Sequence, residues 1–105
     1  MSVHERQIRL SLRILIYREA DLWYGHCLDL DIVAEGQSPA EAVSSCLDLC
    51  STQIDYAVEN GDVGTIFRPA PPELWHMFSI ADDYRLGKEL PKRIQKAEAR
   101  ELAFA

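Results

Sequence analysis

At 105 residues, 48 % of them hydrophobic and with three cysteines, the chain has the length of one ordinary globular domain. Its net charge of −6 is segregated: residues 1–18 balance to +3, residues 19–83 to −12 and residues 84–105 to +3, which disfavours generic nucleic-acid binding by the acidic body. An odd cysteine count, a charged N-terminus with no signal-peptide core and no long apolar run make the expected setting a reducing cytoplasm, without disulfides or a membrane anchor.

In chain order, the first element is a strand over residues 8–18. Ile8, Leu10, Leu12, Ile14 and Ile16 alternate with Arg9, Ser11 and Arg13, the period of a strand buried on one side. Glu19-Ala20-Asp21 supplies turn chemistry, and the aromatic-rich Leu22–Leu28 forms the second arm of an antiparallel hairpin. After a turn at Asp29–Asp31, a short third strand runs from Ile32 to Glu35 and stops at Gly36.

Ser38-Pro39-Ala40-Glu41 predicts a helix start. Ser suits the N-cap, Pro the first helical position, and Glu three residues on can reach back to the cap. The helix is expected from Pro39 to about Glu59, burying a stripe of Ala42, Val43, Cys46, Leu47, Cys50, Ile54, Ala57 and Val58. Asn60-Gly61 ends it.

Thr65–Arg68 reads as a fourth, short strand. Pro69-Ala70-Pro71-Pro72 is an extended connector whose last proline opens a second helix, Glu73 to about Arg85. There Leu74, Met77, Phe78 and Ala81 share one side, while Trp75 and Ile80 lie off it. Gly87 breaks the chain, and Pro91 begins a final helix to about Leu102.

A search for chemistry finds no catalytic or metal constellation and implies no cofactor. His26 and Cys27 are strand neighbours and point to opposite faces, so they cannot form a nucleophile–base pair. Cys46 and Cys50, at i and i+4, lie inside the apolar stripe and read as buried packing. Asp29 and Asp31 read as a turn with its polar groups in water, and His76 as a lone histidine. Lys88, Lys92, Lys96 and Arg100 recur every four residues, a cationic stripe on the expected last helix, with Glu89 placed to pair with Arg93.

One stretch, Tyr24-Gly25-His26-Cys27-Leu28-Asp29-Leu30 followed by Ala34-Glu35-Gly36-Gln37-Ser38-Pro39-Ala40-Glu41-Ala42, resembles the HicB-like antitoxin domain. Cys27-Leu28-Asp29-Leu30 stands where that family has Cys-Pro-Asp-Leu, and Gly36, Ser38, Glu41 and Ala42 where it has Gly, Thr, Glu and Ala. The resemblance covers residues 10–62 and implies a β-β-β-α-β domain. Its three- or four-stranded antiparallel sheet would be backed by one helix, like a partial double-stranded-RNA-binding fold. It also implies oligomerisation and, in true antitoxins, capture of a small RNA-cleaving toxin. Asp31-Ile32 replaces the family's Pro-Gly turn, and residues 69–105 match neither a helix-turn-helix nor a ribbon-helix-helix, so operator binding is not implied.

The reading is therefore an α+β domain, residues 1–68, with a Pro-rich connector and helical extension over residues 69–105. It is expected to act as a non-enzymatic interaction module that forms homo-oligomers and, by resemblance, can take a small toxin-like partner. Its expected interface comprises Trp23, Trp75 and Phe78, rimmed by the acids of residues 19–62, with the cations Lys88, Lys92, Lys96 and Arg100. The alternative is a nucleic-acid binder using Arg9, Arg13 and the C-terminal bases.

Overall fold

The computed structural model describes residues 9–87 and 89–103. It is an α+β structure: five strands, β1 (Leu10–Glu19), β2 (Leu22–Cys27), β3 (Ile32–Gly36), β4 (Asp82–Tyr84) and β5 (Ile94–Glu101), with helices α1 (Pro39–Glu59) and α2 (Pro72–Ile80). The strands form one sheet in the order β3-β2-β1-β5-β4. Ile8, expected in the first strand, lies outside the described residues.

The hairpin and third strand form as their alternation dictates. β1 pairs antiparallel with β2, and β2 with β3. The β1–β2 turn places Ala20 at φ 53°, a left-handed conformation costly for any residue with a Cβ. Leu12, Ile14 and Ile16 bury one face of β1 against α1. Because β1 is central, its other face is covered too: Leu15 joins Leu28, Ala70 and Phe78 in a second cluster beneath α2.

α1 begins and ends as its caps require. Ser38 Oγ accepts from the Glu41 N–H (3.1 Å), and Glu41 Oε1 accepts from the Gln37 N–H (3.0 Å), one residue before the cap. At the other end Gly61 takes φ 69°, Asp62 N–H donates to Ala57 O and Gly61 N–H to Val58 O, the paired bonds of a Schellman stop. All eight residues of the expected apolar stripe are buried.

Four expectations fail downstream. Thr65–Arg68 is not a strand: Val63–Ile66 is a 3₁₀ turn, closed because Asp62 O accepts from both the N–H and Oγ1 of Thr65. The second helix stops at Ile80 instead of Arg85, since Asp82–Tyr84 leaves it to pair with β5. The final helix does not exist. Residues 94–101 are strand β5, lying parallel to β1 in the middle of the sheet. The sheet is consequently five-stranded and mixed, larger than the antiparallel one expected.

The misreading of β5 has a physical cause. Gln, Lys, Ala, Glu and Arg are all strong helix formers. The β1–β5 register also shifts between Leu10 and Ser11, whose partners are Ile94 and Lys96, so Gln95 bulges out. That moves the residues packed on the core to Ile94, Ala97 and Ala99, and the first spacing of three imitates a helix. Burial beside β1 overrides both signals.

Two glycines set how closely α1 approaches the sheet. A Cβ on Gly25 would lie 2.7 Å from Ala42 O, and one on Gly36 would lie 2.6 Å from Ala42 N. Only a bare backbone lets the first turns of α1 sit directly on β2 and β3.

Candidate protein interface

The ends of a sheet are where backbone hydrogen bonds go unmade. Here the ends are β3 and β4. β4 is three residues long and begins with two aspartates, a well-protected edge. β3 is longer, Ile-Val-Ala-Glu-Gly, and its free side opens into a broad groove against α1. Tyr24, Val33, Ala34 and Glu35 line the sheet side, and Ser45, Asp48, Leu49 and Thr52 the helix side. Val33 is 43 % and Leu49 46 % exposed, so apolar surface flanks the open edge on both sides. Tyr24 stacks on Tyr17 (5.5 Å between ring centroids), which stiffens the outer surface beside it.

The turn that launches β3 is firmly pinned. Asp29 accepts from the Arg13 backbone N–H through Oδ1 and from its guanidinium through Oδ2, both at 2.7 Å. Its side chain is only 15 % exposed, so it is not the solvated turn residue expected. Leu28 O accepts from Ala70 N–H (2.8 Å). Asp31, at φ 53°, lies 2.6 Å from His26 Nε2. With that nitrogen donating to the carboxylate, Nδ1 accepts from Tyr17 Oη–H (3.5 Å). Burial, and then the charges of Glu19, Tyr24 and Asp31, hold the Tyr17 phenol above its ordinary value, so it stays a donor and is no nucleophile. The chain of bonds positions a turn.

The cysteines are equally quiet chemically. Cys27, Cys46 and Cys50 are free and fully buried on the α1 side of the sheet. A hydrogen bond with Cys50, then burial, pushes the Cys27 thiol upward. For Cys50 the bond with Cys27 acts downward, but the bond with Cys46 and burial outweigh it. Both shifts favour the thiol, the form that packs in a core. His26 and Cys27 do face opposite sides of β2, as the alternation demands. No group of three or more His, Cys, Asp or Glu among the described residues is arranged to hold a metal ion.

No family model, curated protein or solved structure matches the chain. Among the described residues no helix is long and apolar enough to cross a membrane.

The residues expected to form the interface are scattered, and most are engaged. Trp23 is half-buried against the main core with Arg18 over its ring. Trp75, also half-buried, donates Nε1–H to Ala70 O, and Phe78 is buried beneath Arg100. Trp75 and Phe78 are drawn in because the outer face of β1 needs covering, and Trp23 because it packs on the α1 side of the sheet. Of Trp75 and Ile80, the two residues off the apolar side of this helix, Ile80 is 64 % exposed.

Lys88 lies outside the described residues. Lys92 and Lys96 are exposed on a turn and on β5, and Arg100 is held by Glu98 (2.9 Å) and Asp83 (3.6 Å). With no final helix there is no helical cationic stripe, and Arg93 pairs with Asp55 (3.0 Å) and not within a helix with Glu89.

The groove residues Val33 and Leu49 escaped sequence reasoning, and Glu35 and Asp48 entered it only as part of the acidic rim of residues 19–62. Leu49 carried the available signal, a leucine off the apolar stripe of an otherwise well-patterned helix. That Val33 sits at an edge depends on strand order, which local pattern does not encode.

Proposed function

We propose that this chain is a non-enzymatic protein-interaction module, which takes an extended segment of another polypeptide along the free edge of β3. The observation that carries the reading is the β3 edge, unpaired among the described residues and flanked by exposed Val33 and Leu49. Strand addition of this kind draws affinity from main-chain hydrogen bonds and specificity from side chains at alternate positions. The rigid turn at Leu28–Asp31 and the close seating of α1 on Gly25 and Gly36 support it, because a preformed edge costs little to order.

The stretch from Tyr24 to Ala42, which resembles the HicB-like antitoxin domain, is also the stretch that builds this edge. The resemblance favours the same reading, with a small toxin-like protein as the natural partner. The rival nucleic-acid reading gains nothing from the geometry, since Arg13 and Arg100 are both turned onto carboxylates.

A displayed library of random decapeptides, panned against the chain, tests this. Enriched peptides should lose binding to Val33→Asp and Leu49→Asp and keep it for Met77→Asp, an equally exposed change on α2. Peptides indifferent to the two groove variants would remove the β3 edge as the docking site.

A further inference from the structure

The charge pattern around this edge identifies the chemistry of its occupant, an inference that rests on the docking reading above. We infer that the β3 groove takes a basic extended segment of a different protein and not a second copy of this chain.

Between Glu19 and Phe67 the sequence has ten acidic residues and no lysine or arginine. That span is β2, β3, α1 and their connections, the whole of the groove. Two of those acids, Glu35 and Asp48, line the groove directly, one on each side of the edge. Neither carboxylate has an ion-pair partner among the described residues. The pairs formed are Arg13 with Asp29, His26 with Asp31, Arg93 with Asp55, and Arg100 with Asp83 and Glu98. Arg13, Arg93 and Arg100 are thus drawn to other acids, and no described cation pairs with the two groove carboxylates.

A second copy answers this poorly. Among the described residues its sheet ends are β3, which would bring Glu35 and Asp48 toward their own copies, and β4, which would bring Asp82 and Asp83. Like charges facing across strands are destabilising, and opposite charges stabilise and steer. A strand laid along β3 places alternate side chains on the two faces of the sheet. One set passes Val33 and Glu35, and the other passes Ala34 and the helix residues Asp48 and Leu49. Lysine or arginine alternating with β-branched apolar residues then passes cations along one face, beside Glu35 or Asp48, and apolar side chains along the other, beside Leu49 or Val33.

The probe is an end-blocked, fluorescent octapeptide alternating lysine and valine. Controls are its glutamate–valine counterpart and a lysine–valine peptide N-methylated at every backbone nitrogen, which lacks donors along both edges. Fluorescence anisotropy should show the basic peptide binding at least about tenfold tighter than the acidic one at low salt, with the gap narrowing as salt screens it. The N-methylated peptide should bind much more weakly. Amide NMR shifts should cluster at Ile32–Gly36 and Ser45–Thr52. The double variant Glu35→Lys, Asp48→Lys should reverse the preference toward the acidic peptide.

Equal binding of the two charge types, undiminished binding of the N-methylated peptide, or an unreversed preference in the double variant overturns the inference. So does a dimer in sedimentation that Val33→Asp disperses. That dimer would leave edge docking standing with a second copy as occupant, whereas no perturbation of Ile32–Gly36 by any peptide, and no such dimer, would sink both readings.

Discussion

Replacing Gly25 with alanine tests how the sheet and helix fit together. The added Cβ would stand 2.7 Å from Ala42 O, 3.0 Å from Ala42 C and 3.2 Å from Cys46 Cβ. Ordinary contact begins near 3.4 Å, so α1 must lift by about 0.7 Å, and the closest atoms are backbone, which no rotamer change can move aside. A gap of about 0.5–1 Å forfeits a quarter to a half of each dispersion contact it opens, and Val43, Cys46 and Leu47 would all lose some. Overpacking of this sort costs about 1–3 kcal/mol, offset by about 0.4–1 kcal/mol because alanine restricts the unfolded chain.

The net expectation is a loss of about 1–2 kcal/mol, a large fraction of the roughly 5–15 kcal/mol available to a domain. Urea unfolding followed by far-UV circular dichroism, with Trp23 and Trp75 fluorescence as a second probe, measures it. Gly64→Ala, where nothing lies within 4 Å, is the control and should gain about 0.4–1 kcal/mol. Gly36→Ala should behave like Gly25→Ala. The double variant should cost less than the two singles combined, because both press on Ala42 and one displacement of the helix relieves both. If Gly25→Ala is as harmless as Gly64→Ala, α1 does not sit on β2 as closely as described, and the account of the groove fails with it.

Three further outcomes follow from the same structure. Ala20→Gly should raise stability by about 0.5–1 kcal/mol in urea melts, since the left-handed turn conformation strains a Cβ; a loss would mean that the turn is wrongly described. Changing Cys46 and Cys50 to alanine together should cost about 2–4 kcal/mol by opening a cavity without altering peptide binding, and stoichiometric zinc in protein purified without added metal would refute this packing role. Stability should fall in alkali. Tyr17, Cys27 and Cys50 all have raised values in the fold, so the stability they contribute is complete below their unfolded values of 9.0 for the thiols and 10.0 for the phenol, and it drains away as pH rises. Each thiol should contribute a slope of about 1.4 kcal/mol per pH unit above that point, and a flat urea midpoint between about pH 8 and pH 10.5 would contradict it.

Local chemistry was enough to read the first two thirds of this fold. The alternation of Leu12, Ile14 and Ile16, the Ser38–Glu41 cap, the eight-residue stripe of α1 and the Asn60-Gly61 stop each satisfy backbone or burial needs within a few residues, so pattern and structure agree. Beyond Gly61 the decisive partners are far away. Ile94–Glu101 is built of helix formers and becomes a strand because the free side of β1 offers a row of hydrogen bonds and a place to bury Ile94 and Ala99. Trp75 and Phe78 look like surface anchors until Leu15, on the second face of the same strand, requires a cover.

The candidate interface belongs to this second kind of information. Val33, Glu35 and Asp48 are unremarkable in sequence, and they become a groove only because β5 inserts on the far side of β1 and leaves β3 at the end of the sheet. Strand order is settled by contacts between residues eighty or more apart in the chain, such as Leu10 with Ile94. Helix caps and apolar stripes are settled within a turn or two, and that difference in range separates what could be read from the residues from what only the assembled sheet decides.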